Sequence, residues 1–166
     1  MGRATTKPDG ERSLTLWAYA TDVWRRPDVE PACLELQNAY GHSPPLLLWR
    51  LWAIEQRRPL DIATIENAVA ATRRWENTVT RPLRAVHQSM KSALPVVHDQ
   101  ARADIRGKIR AVELDAERAL LDALDGLTPA PGERRDDGLS ALLELAAIWG
   151  SSAPIFDLRR LLGAAG

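Results

Sequence analysis

The sequence predicts an all-α protein: a helical bundle with a short-helix N-terminal part, a long antiparallel helical hairpin and a C-terminal amphipathic segment. Three observations carry this. Apolar residues recur at steps of three and four along most of the 166 residues. Prolines, glycines and small polar residues fall where helices would start and stop. No segment shows the two-residue alternation of a half-buried strand. The length suits one compact domain, able to bury roughly 70% of its unfolded surface without a disulfide or metal. The chain divides into a disordered lead (1–12), a helical domain (13–126), a loop (127–138) and a C-terminal helical extension (139–166).

Taken in order, Ser13 is expected to cap a first helix whose stripe is Leu16, Ala20, Val23 and Trp24, with Pro27 stopping it. Asp28 is expected to cap a second, with Val29, Ala32, Cys33, Leu36 and Tyr40 on one face and Gly41 as a left-handed terminator. Ser43 is expected to cap a third helix over 44–58, where Pro44 takes the first position at no cost in hydrogen bonds. Leucines, Trp49, Trp52 and Ile54 surround most of this helix, so it should be enclosed on several sides. Arg50 is its exception and must reach solvent or a carboxylate.

Asp61 is expected to cap a long seam running through Ile65, Val69, Trp75, Leu83, Val86 and Met90, interrupted by Pro82. A proline there removes a backbone donor and predicts a kink or break near 77–81. Beyond Pro95, a second seam (Val97, Ala101, Ile105, Ile109, Val112, Ala116, Leu120, Leu124) runs to Gly126. Thirty such residues make a rod about 45 Å long, suited to pair with the first as a hairpin. The stretch 126–138 is loop by composition. A short helix over 139–149 ends at Gly150, and Ser152 opens a last one.

Composition narrows the function classes. Net charge is zero, which argues against a general nucleic-acid coat. The apolar run of the third helix is too short for a membrane span and Arg50 interrupts it. A single cysteine, Cys33, leaves no internal disulfide and fits a reducing compartment. The N-terminus lacks the apolar segment of a secretory signal. A cytoplasmic location follows as the expectation.

Three blocks carry a family resemblance: "LWAYATDVWRRPDVEPACLELQNAYGHSPPLLLWRLW" (16–52), "WENTVTRPLRAVHQSMK" (75–91) and "RGKIRAVELDAER" (106–118). In the spacing of their Leu-Trp, Cys-Leu-x-Leu-Gln, triple-leucine and Arg-Pro-Leu-Arg elements they resemble a family of small proteobacterial proteins known as a domain of unknown function. The resemblance implies a cytoplasmic, bacterial, all-helical protein and supplies no activity or catalytic residues. The chain departs from the family pattern at Pro45, where a polar residue, commonly Asn, is expected. The segment after 126 lies outside the resemblance.

Candidate functional residues fall into three groups. Trp149, Ile155, Phe156, Leu158, Leu161 and Leu162 form an amphipathic C-terminal segment that could seat on a partner, on a second copy, or back on its own domain. Trp149, ending a short peripheral helix, is the tryptophan expected to be exposed or in an interface; the other five lie on or beside apolar stripes, as core indoles do. Arg74, Arg81, Arg84 and Lys91 form a basic patch. From Arg73 to Arg110 there are nine basic and three acidic residues, and from Ala111 to Glu144 three basic and nine acidic. The patch could contact phosphates or face acidic groups elsewhere in the fold. Arg50 is a candidate anion anchor for a pocket near Trp75.

Reaction chemistry is weakly supported. The ladder Arg106, Arg110, Glu113 and Glu117 suits ion pairs along a solvated helix; it lacks the Glu-x-x-His motifs of a dinuclear carboxylate site. The histidines at 42, 87 and 98 are far apart, without metal-ligand spacing, and no phosphate loop, nucleophile elbow or dinucleotide fingerprint occurs. No catalytic residue, cofactor or metal is assigned. The leading reading is a non-catalytic protein acting through protein contacts or self-association, as adaptor, regulator or small subunit. Its surfaces would be the long paired helices, the basic stripe or the C-terminal segment. The alternatives are a binder of, or enzyme on, acidic metabolites through Arg50, and a weak nucleic-acid binder through the basic stripe.

Overall fold

A computed structural model describes residues 14–133, 136–152 and 155–166. Every regular element among them is helical: α1 (Leu16–Trp24), α2 (Val29–Tyr40), α3 (Pro44–Glu55), α4 (Ile62–Trp75), a π-helical turn (Glu76–Thr80), α5 (Arg81–Ser89), α6 (Asp99–Leu127), α7 (Gly138–Trp149) and α8 (Ile155–Ala165). No described helix is long and apolar enough to cross a membrane.

Helix α3 is the central element, with α1, α2, α4, α6 and α7 all packed on it. Leu46, Leu47, Trp49 and Trp52 are fully enclosed, as its nearly continuous apolar circumference requires. Four indoles also clamp distant segments through their N–H groups. Trp49 donates to the Thr128 hydroxyl at 2.7 Å and Trp52 to the Leu14 carbonyl at 2.8 Å. Trp75 donates to the Ala116 carbonyl at 3.0 Å, and Trp149 to the Gly41 carbonyl at 2.9 Å. Burial of each ring supplies the energy, and the single polar handle fixes which segment lies against it.

Several helix ends follow the sequence and others depart from it. Gly41 takes the left-handed conformation (φ 68°) that ends α2, and Asp61 accepts the Thr64 N–H at 2.7 Å to open α4. Ser13 and the lead 1–12 lie outside the described residues; the first cap is Thr15, which accepts from the Ala18 N–H. Asp28 and Ser43 occupy cap positions but neither side chain makes the capping bond. Asp28 is itself left-handed (φ 71°), and its carboxylate faces Arg160 at 4.0 Å instead. Helix α3 stops at Glu55, short of 58, and α6 continues past Gly126 to Leu127. The cap assigned to Ser152 borders residues 153 and 154, outside the described set.

The interruption expected from Pro82 is the π turn at Glu76–Thr80. Arg81 N–H bonds back to the Glu76 carbonyl, a five-residue step that accommodates the missing proline donor without ending the helix. The hairpin of α4, the π turn and α5 against α6 is formed, although Val86, Ile105 and Val112 of the two seams are exposed and not packed within it.

The C-terminal helices close the core. Helix α7 packs on α3 and α4, and α8 on α2 and α7; Leu142, Leu145, Leu158 and Leu161 are enclosed. Two arginines tie their ends down. Arg26 donates to the Ala165 carbonyl, and Arg73 donates to the Trp149 carbonyl while its guanidinium lies 4.8 Å from that indole's centroid. Both meet the negative end of a helix, where cations are favoured.

Candidate functional site

The hairpin leaves a group of apolar residues uncovered. Helix α5 has no buried residue, and α6 buries none before Glu113. On the N-terminal side of that point α6 pairs with α5, whose other main contact is the π turn. Two polar contacts define their seam. His87 Nδ1 meets Glu113 Oε2 at 2.8 Å, and Arg84 pairs with Glu117 at 3.5 Å. Burial of the Glu117 carboxyl pushes its pKa up, and the Arg84 charge works against that rise. The ladder expected to run along α6 is therefore a set of rungs across the hairpin: both carboxylates reach α5.

Those rungs also fix which way the apolar side chains point. Val86 precedes His87 by one residue and Val112 precedes Glu113 by one, so each is turned about 100° from the seam in the same rotational sense. Because α5 and α6 run antiparallel, equal rotation places both on the same side of the hairpin. Met90 lies one helical turn from Val86, and Ile105 and Ile109 precede Val112 by seven and three residues, so they extend the same face. Val86, Ile105 and Val112 are 45%, 43% and 48% exposed. The loop beyond adds Leu94, Val96 and Val97, all exposed. The second seam is thus corrected: its C-terminal half is core and its N-terminal half is surface. The sequence named these residues but could not show that no third layer covers them.

Arg50, the candidate anion anchor, is engaged within its own chain. It is only 1% exposed, and its Nη1 and Nη2 pair with Asp136 at 3.2 Å and Glu144 at 3.3 Å, while Nε donates to the Ala141 carbonyl. It borders an open cleft of about 670 Å³ lined also by Asp61, Asp137 and Ser140. That cleft is acidic, and Trp75 is no part of it. Asp61 and Asp137 are engaged as caps of α4 and α7, and bonds from Thr64 and Ser140 hold both carboxyls below the usual range. The charge that Arg50 would offer an acidic metabolite is already taken by α7 and the loop before it.

The C-terminal candidates separate. Trp149, expected to be exposed, is 7% exposed and bonded at its ring nitrogen; Leu158 and Leu161 are core, and Leu162 is half-buried against Gly138. The amphipathic stripe seats on α2 and α7 of its own chain, leaving Ile155 and Phe156 exposed. The four residues of the basic patch differ in their engagement. Arg84 is paired with Glu117, Arg81 donates to Asn77 at 2.8 Å, and Arg74 and Lys91 stand exposed. Cys33 is enclosed, and burial pushes its thiol up to about 12, outside the range of a useful nucleophile. Burial likewise holds the His42 imidazole below its ordinary pKa. Among the described residues no group of three or more His, Cys, Asp or Glu is arranged to hold a metal.

A family model described as a protein of unknown function, DUF2390, matches residues 15–124. The match ends within α6, before α7 and α8 that complete the core. No curated protein and no solved structure matches the chain.

Proposed function

The chain belongs to this family of proteins of unknown function, and from its geometry we propose that it is a non-catalytic contact protein whose working surface is the apolar face of the hairpin. The observation that carries the reading is that face itself: Val86, Met90, Ile105 and Val112 lie on one side of two paired helices with no layer behind them. An apolar face of this kind costs free energy in water and is the usual mark of a protein interface. The engaged state of Arg50 and the buried, high-pKa Cys33 remove the two residues best suited to binding or attacking a small molecule. A reducing, cytoplasmic setting suits the lone thiol.

The test is photo-crosslinking in cells producing the full chain, from a photoreactive residue at Val112 and, as control, at Arg110. Arg110 is exposed and lies two residues away, on the other side of α6. Defined protein adducts are expected from 112 and not from 110. Absence of adducts at 112, or equal yields at both, would remove the hairpin face as a contact surface.

A further inference from the structure

Resting on that reading, we infer that the occupant of the hairpin face is a second copy of this chain, packed antiparallel about a two-fold axis near Val112. The exposed stripe of α6 continues past the tip: Ala101, Ile105, Lys108, Val112, Asp115 and Ala119 follow one another at steps of four and three, and all are exposed. Asp122 and Gly126, also exposed, carry the same spacing to the base. This is a heptad seam, the spacing with which one helix meets another over several turns. It runs nearly the whole length of α6 while α1 and α3 occupy other sides, as the Leu16 N–H bond to Asp125 and the Arg118 guanidinium over Trp17 show for α1.

Charge orders the stripe end to end, and its two large apolar residues, Ile105 and Val112, lie between Ala101 at the tip and Ala119 and Gly126 at the base. Through Arg110, α6 carries four basic and two acidic residues; from Ala111 on, five acidic and one basic. A parallel pairing would set large on large and like charge on like. An antiparallel pairing sets Ile105 of one copy against Ala119 of the other, and Lys108 against Asp115. The surface is therefore self-complementary under a two-fold rotation, as an isologous dimer requires.

Helix α5 fits the same arrangement. The rungs that join His87 to Glu113 and Arg84 to Glu117 place Val86 and Met90 level with the middle of the stripe. Two hairpins face to face then form a four-helix layer centred on Val86 and Val112 of both copies. A stripe about 45 Å long and about 10 Å across, widened by α5 and the tip, approaches the roughly 800 Å² per partner that a specific interface buries.

Sedimentation velocity of the full chain over a wide concentration range tests this. The wild type should show a monomer–dimer equilibrium. Lys108→Asp and Asp115→Lys should each weaken it about tenfold or more by placing like charges opposite one another, and the double reversal should restore it. Both positions are exposed in the single chain, so at concentrations where the wild type is monomeric thermal melting should be unchanged in all three variants. A monomer at every concentration, a dimer indifferent to the single reversals, or failure of the double reversal to restore it overturns the inference. If the chain is monomeric while a crosslinker at 112 captures a different protein, the contact reading stands and the second copy is excluded.

Discussion

Deletion of residues 127–166 is expected to abolish cooperative thermal unfolding. The removed segment carries α7 and α8, whose Leu142, Leu145, Leu158 and Leu161 are enclosed against α2, α3 and each other. Each fully buried leucine contributes about 1.5–3 kcal/mol. Four of them therefore match a substantial part of the ~5–15 kcal/mol that holds a domain folded. The deletion also takes away Thr128, which receives the Trp49 N–H, and the carboxylates of Arg50. Circular dichroism should retain helical signal with no sharp melting transition. A truncated chain that melted cooperatively near the wild-type temperature would show that residues 14–126 form a core of their own. The family match, which ends at 124, would then mark a true domain boundary.

Replacement of Arg50 by Ala is expected to cost about 3–5 kcal/mol, the range for breaking a buried ion pair. For a chain of this length that lowers the melting temperature by roughly 6–20 °C. The guanidinium is enclosed with the apolar side chains of α3, and it ties that helix to α7 and to the loop before it. Arg50→Met should recover part of the loss: its side chain refills most of the apolar volume and Glu144, 42% exposed, can return to water, while Asp136, 10% exposed, still loses the Arg50 charge. Urea unfolding of both variants decides the matter: equal stabilities would mean that the lost pairing, common to both, sets the cost and that the refilled volume contributes nothing.

Much of the fold was legible because local chemistry decided it. The missing donor of Pro82 forces an irregular turn, Gly41 permits a left-handed terminator, and a helix apolar on all sides, α3, can only be central. What stayed hidden depended on partners far along the chain. Arg50 was identified as needing a carboxylate, but Asp136 and Glu144 lie 86 and 94 residues away, and no spacing rule connects them. The stripe of α8 says that one side is buried without saying against what; the answer is α2 and α7. Trp149 ends a short helix near the terminus, yet Gly41 and Arg73 enclose it.

The hairpin shows the same limit from the other direction. Ile105 and Val112 fall at heptad spacing, a pattern that is the same whether the covering helix belongs to the same chain or to another. Here the same-chain cover stops at Glu113. Sequence spacing assigns Glu113 and Glu117 to a surface ladder because Arg106 and Arg110 are nearer along the chain than His87 and Arg84.

Hydrogen exchange of the full chain, compared between dilute and concentrated solution, tests the hairpin as contact surface most directly. Amides of α5 and of α6 up to Val112 should exchange quickly when dilute, having no core behind them, and gain protection as the chain associates. Amides of α3 should be protected throughout. Slow, concentration-independent exchange along the hairpin, or protection gained at α7 and α8 instead, would contradict the account.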